Sequence, residues 1–148
     1  MKHYLVLSLV VVVVTGCSST GTSSRRAEKD MANYDAAAMA YKNGELSEAE
    51  TRYRQLVKAR PEYAEGWFKL GNIYVRTGQY DAAANMYKRA AQINPEDAKV
   101  WNNLALANIK KAVAVLDEGA RHVQQGSSDQ KNMMLLRERI VQTVVVEK

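Results

Sequence analysis

The chain has 148 residues, 47% of them hydrophobic and 25% charged, with a net charge of +5 and a single cysteine. That length holds one domain with one continuous core, and not two. One cysteine excludes an intramolecular disulfide, and a mild positive charge without Lys/Arg clusters argues against a nucleic-acid surface.

The first element is apolar. Met1-Lys2-His3 supplies a positive start, and Tyr4 to Val14 is interrupted only by Ser8. This run falls well short of the ~20 apolar residues of a membrane-spanning helix and suits a secretory signal. It ends in Val14-Thr15-Gly16-Cys17, which resembles the lipobox of bacterial lipoproteins: an aliphatic residue, a small one, Gly or Ala, then Cys. The resemblance implies a signal peptide over residues 1–16, cut after Gly16. It also implies a diacylglycerol thioether on Cys17 and an acyl group on its amine. No other cofactor and no metal is expected. Ser18 stands where an Asp would resemble an inner-membrane retention signal. The expected location is therefore the cell envelope, lipid-anchored in the outer membrane and facing the periplasm. After the cysteine, residues up to 29 are almost without apolar side chains. Segment 17–29 reads as a lipidated Cys with a flexible tether, up to ~40 Å long if extended.

From Asp30 the chain repeats itself. A shift of 34 residues, the length of a helix–turn–helix repeat, brings Trp67 onto Trp101, Leu70 onto Leu104, Gly44 onto Gly78, Ala49 onto Ala83, Tyr53 onto Tyr87 and Pro61 onto Pro95. Trp67, Leu70, Gly71 and Tyr74 lie at i, i+3, i+4 and i+7, one face of a helix. Tyr80, Ala83, Tyr87 and Ala90 do the same for a second helix, with Gly78-Gln79 as the turn between them. Pro95 ends that helix by removing a donor and restricting Asn94.

Segment 64–97 resembles the tetratricopeptide repeat (TPR) consensus, with Trp67, Leu70, Gly71, Tyr74, Gly78, Tyr80, Ala83, Tyr87, Ala90 and Pro95 in its signature places. The fold class expected is an all-α TPR solenoid of antiparallel helix pairs over residues 30–148. The repeats fall at about 30–63, 64–97 and 98–126. The first has a weak opening helix, with Asn33 in the place of Trp and Ala36 in that of Leu. Its second helix fits through Leu46, Ala49, Tyr53 and Leu56. The third starts well with Trp101, Leu104 and Ala105, then lacks the glycine turn. A second pattern resumes early as Ile109, Ala112, Leu116 and Gly119, so the chain has either a very tight turn or one long fused helix. Gly126-Ser127-Ser128-Asp129 breaks the pattern with a good N-cap. A last helix over about 129–146 follows, with Met133, Leu136, Ile140 and Val144 on one face. It resembles the cap helix of many TPR arrays. Met134, Leu135 and Val145 broaden the apolar face; they are read as core, with a partner surface as the alternative.

Chemistry is poorly provided for. Once 1–16 is removed, His122 is the sole histidine, and no metal-ligand cluster, nucleophile elbow or phosphate loop appears. The chain is read as no enzyme, with no catalytic and no metal site. In TPR proteins the first helices of successive repeats line a concave groove that binds peptides. The resemblance places Tyr34, Tyr41 and Lys42 there from the first repeat, Phe68, Asn72, Val75 and Arg76 from the second, and Asn102, Leu106 and Lys110 from the third. The series Lys42, Arg76, Lys110 has two readings. Cations are favoured in the last turn of any helix; alternatively they hold a carboxylate. The second reading implies an envelope protein or peptide with an acidic or C-terminal carboxylate segment, and no nucleic acid. The expected function is a membrane-anchored adaptor or assembly factor of envelope pilus, secretion or export machinery. The alternatives are an escort subunit of an envelope enzyme, or a subunit that self-associates through its cap helix or open end.

Overall fold

The computed structural model describes residues 20–146. The segment read as a signal peptide, and Cys17, lie outside the described residues, as do Glu147 and Lys148. Six helices follow one another: α1 (Thr20–Asn43), α2 (Leu46–Ala59), α3 (Ala64–Arg76), α4 (Tyr80–Ile93), α5 (Ala98–His122) and α6 (Ser128–Val146). No strand occurs among the described residues. Each helix packs on the next, and α3 also touches α5. The expected all-α solenoid of antiparallel pairs is what forms.

The turns show why the period is kept. Gly44 and Gly78 have φ of 83° and 75°, a left-handed conformation that glycine adopts without a Cβ penalty. After each, an amide reaches back over the helix end: Glu45 N–H to Ala40 O at 2.9 Å and Gln79 N–H to Tyr74 O at 2.8 Å. These are helix C-caps of one kind. One period further on stands Ala112. Alanine is the best helix former and pays to enter the left-handed region. The helix therefore runs on, and α5 spans 25 residues without a break. The third repeat holds a single fused helix.

Between repeats the prolines act as expected. Arg60 and Asn94, each preceding a proline, leave the helical region, with φ −134° and −129° and ψ 78° and 85°. The tryptophans then do more than line a helix face. Trp67 Nε1–H donates to Pro61 O, and Trp101 Nε1–H to Pro95 O, both at 2.8 Å. Each indole clasps the loop that precedes its own helix.

The core runs through the repeats. Tyr53, Leu70, Ile73, Tyr87 and Val100 are its largest fully buried side chains, joined by Ala37, Ala49, Ala83, Ala90 and Ala107. At Gly71 a Cβ would come within 2.4–2.8 Å of three ring atoms of Tyr87, so glycine sets the distance at which α4 crosses α3. Tyr53 is wholly buried, and its hydroxyl has no hydrogen-bond partner among the described residues. Burial, reinforced by the neighbouring Tyr34 phenol, pushes its pKa up.

Three features differ from the sequence reading. First, α1 starts at Thr20, so residues 20–29 of the segment read as a tether are helical. Arg25-Arg26-Ala27-Glu28-Lys29 are good helix formers, and they carry α1 ~three turns beyond the Asp30 boundary. Second, Met134 and Leu135 are 56% and 57% exposed, and Leu136 is exposed too. They do not join the core. The inward seam of α6 is Met133, Arg137, Ile140 and Val144, all half-buried, because only α5 lies beneath it. The side chain of Val145 is outside the described set. Third, Ala112 is exposed, so it is not part of the face that meets α6. The start of α6 is a near capping box: Gln130 N–H donates to Ser127 Oγ at 3.2 Å, and Gln130 Oε1 accepts from Gly126 N–H at 2.7 Å.

Candidate partner-binding groove

The candidate groove is assembled from α1, α3 and α5, the first helices of the three repeats. Its sequence-predicted residues fall into two sets.

One set is occupied within the protein. Tyr34 stands edge-on to Tyr53 and Tyr63, with ring centroids at 6.2 and 6.1 Å. Asn72 Oδ1 accepts from Tyr87 Oη–H at 2.7 Å and from Asn103 Nδ2–H at 3.1 Å, which ties α3 to both α4 and α5. Arg76 lies over the Tyr41 ring, 4.8 Å from its centroid, and donates to Tyr41 O at 3.0 Å. The Arg76 cation thus fastens α3 to α1, a role that spacing along the chain does not reveal. Phe68 is half-buried, with its ring 5.8 Å from Tyr87 and the Lys69 ammonium 5.9 Å from its centroid. Tyr87 is 1% exposed, and burial pushes its pKa up to about 12.

The other set is open. Lys42, Asn102 and Lys110 are exposed, and Leu106 and Val75 are half-buried. Lys42 and Lys110 make no hydrogen bond or ion pair among the described residues. Lys110 and Leu106 border a cavity of about 320 Å³ whose other walls include Tyr80, Ile109, Val113 and Val144. The walls are mostly apolar, and the carboxylate there, Asp117, is held by Arg137 at 2.6 Å. A smaller cavity of about 250 Å³ lies beside Phe68, between Tyr63, Glu65, Asn94 and Asp97. The three-member basic series is therefore not one site. Arg76 is spent on packing, while Lys42 and Lys110 stay available at separate places.

A contact missed from the sequence sits between α2 and α3. Tyr74 Oη–H donates to Glu50 Oε1 at 2.8 Å and accepts from Arg54 at 3.0 Å. Burial, and then the bond to Glu50, raise the Tyr74 pKa. Tyr74 was legible as a core-face aromatic, but nothing in the spacing pointed to the acid and base above it. Among the described residues no group of three or more His, Cys, Asp or Glu side chains is placed to hold a metal. No described helix is long and apolar enough to cross a membrane.

Comparison with known proteins agrees with this geometry. A family model described as tetratricopeptide repeat matches residues 34–98 and again 68–125, together more than half of the chain. The chain belongs to the tetratricopeptide repeat family. It is similar to a TPR repeat-containing protein of Schizosaccharomyces pombe, 35% identical over 86 residues, covering 58% of this chain and 10% of that protein. It is also similar to anaphase-promoting complex subunit 3 of the same yeast, 32% identical over 90 residues, 57% of this chain and 14% of that one. A human protein O-mannosyl-transferase, TMTC3, is 28% identical over 65 residues, 44% of this chain and 7% of its own length. The chain thus spans a small fraction of these relatives. TPR repeats as a class generally bind other proteins.

Proposed function

We propose that this protein is a lipid-anchored adaptor of a bacterial cell envelope, which holds an extended segment of a partner protein in the groove formed by α1, α3 and α5 and has no catalytic activity. The carrying observation is an apolar cavity of about 320 Å³ on the α5 side of that groove, between Tyr80 of α4, α5 and Val141 and Val144 of α6, rimmed by Lys110, a cation without a partner among the described residues. An apolar side chain in the cavity with a carboxylate against Lys110 satisfies both features. The partner segment is then acidic or ends in a free carboxylate. It belongs to an envelope machine such as a pilus, secretion or export assembly. Anchoring through Cys17 would hold the adaptor at the membrane and raise its effective concentration there.

Two experiments test the two halves. Fluorescence anisotropy with a library of short peptides bearing free carboxyl termini should find binders that Lys110→Ala weakens about fivefold and Leu106→Glu abolishes. Binding that ignores both changes would remove the groove reading. Metabolic labelling with palmitate should mark the wild-type chain and leave Cys17→Ala unmarked and released from membranes. A labelled, membrane-bound Cys17→Ala chain would remove the anchor.

A further inference from the structure

The second repeat shows what the third lacks. In the second, Tyr87 of α4 lies directly on Gly71 of α3, and Trp67 and Tyr74 flank that contact, lining a cavity with Met86 of α4 and residues of α2. The residues one period later are Trp101, Ala105 and Asn108 of α5. Gly71 and Tyr74 are buried, but Ala105 and Asn108 are exposed and Trp101 is 49% exposed. No second helix covers them among the described residues. Residues 113–122, which would have supplied one, continue α5. The helix α6 packs on α5 and makes no comparable contact with α4.

The uncovered face extends beyond these residues. Ala98, Trp101, Ala105, Asn108, Ala112 and Val115 follow one another at spacings of 3, 4, 3, 4 and 3, and all are exposed. That is the a/d rhythm of a coiled-coil seam. It carries no charge over about five turns, in a chain with 25% charged residues. We infer that this face of α5 pairs with the same face of a second copy of the chain, antiparallel, about a two-fold axis between Leu106 and Ala107.

Self-complementarity carries the choice of occupant. An isologous contact needs one patch to fit itself. With the axis there, Trp101 meets Ala112 of the other copy, Ala105 meets Asn108, and Ala98 meets Val115. Every larger residue faces an alanine, so the backbones can approach closely. At the rim Lys111, already paired with Asp81, comes opposite Asn102 and not another cation. The footprint on each α5 is about 10 Å by 25 Å. The two α5 footprints together, about 500 Å², fall below the ~1,200 Å² of the smallest specific interfaces. The association is therefore reversible and concentration-dependent. The seam leaves Leu106 and Lys110 uncovered, with Asn102 at its rim, so a paired adaptor presents two cavities.

Sedimentation equilibrium of the chain in a non-ionic detergent, which covers its apolar N-terminal segment or the lipid on Cys17, tests this. The wild-type chain should shift from monomer to dimer with concentration. Ala105→Glu should weaken pairing about tenfold or more by burying a carboxylate, with helical circular dichroism unchanged. Asn108→Lys should do the same alone, yet a mixture of the Ala105→Glu and Asn108→Lys chains should pair again, because residue 105 of one faces residue 108 of the other. Met134→Glu, on the exposed face of α6, should leave pairing intact. A chain that stays monomeric throughout overturns the inference. So does pairing that survives Ala105→Glu, pairing lost with Met134→Glu, or a mixture that fails to recover.

Discussion

At Gly71 the absence of one methyl group sets the spacing between two helices. Gly71→Ala should drive a Cβ into the Tyr87 ring and cost about 1–3 kcal/mol, read as a lower urea midpoint with unchanged slope. The same ring gives the fold a pH limit. Tyr87 ionises at about 12 in the folded protein because of burial, against about 10 in an unfolded chain. Its contribution is complete below pH ~10 and is lost as the pH rises toward about 12, an effect of about 3 kcal/mol at most. Tyr53, raised in the same direction, adds to that slope. Thermal melts at rising alkaline pH should show the loss, and Tyr87→Phe should flatten it. Residue identity was largely legible in the sequence: Trp67, Leu70, Gly71, Tyr74 and Tyr87 all take the places their periodicity gave them. What periodicity could not give was the polar end of each side chain. A 34-residue period puts both tryptophans on a helix face, but it does not say that the indole N–H reaches a proline carbonyl. Nor does it say that Arg76 closes on Tyr41, which lies 35 residues away.

Among the elements, the long α5 distinguishes this solenoid from a run of equal pairs. Its continuity rests on Ala112 standing where Gly44 and Gly78 make turns. Ala112→Gly should cost about 1 kcal/mol of helix propensity without creating a turn, since no sequence after it fits the second-helix pattern. Ala112→Pro should cost ~3 kcal/mol or more and release the end of α5 together with α6. The sequence left this helix open between a tight turn and a fusion, because the same apolar spacing serves both. The outer face of α6 was misread for a related reason. Apolar residues at 134 and 135 broaden a helical stripe, but a stripe cannot say whether a further layer exists to cover it. With one neighbour and many exposed residues, α6 should be the least protected of the helices that follow α1. Amide hydrogen exchange should show it opening before α3 and α4. The Arg137–Asp117 pair will not prevent this. Both partners are over 40% exposed, and such pairs contribute ~1 kcal/mol or less.

At the scale of the molecule, the fold divides labour along its length. The first two repeats carry the dense core and use Tyr34, Tyr41, Asn72 and Arg76 to lock one helix pair to the next. The third repeat gives up its own second helix and leaves open features on two sides of α5, an apolar cavity with an available lysine and an uncharged seam. The helical start of α1 replaces most of the tether read from composition, so an anchor at Cys17 would hold the groove on a stiffer arm. The central claim is that the α5 side of the groove binds a partner peptide through Lys110 and its cavity. Calorimetric titration of the full chain, in detergent, with the tightest peptide from the carboxyl-terminal library tests it most directly. One site per chain is expected, with affinity that falls as salt rises and falls about fivefold for Lys110→Ala. Binding should be lost when the peptide carboxylate is amidated. Equal affinity for the amidated peptide and for Lys110→Ala would contradict the claim.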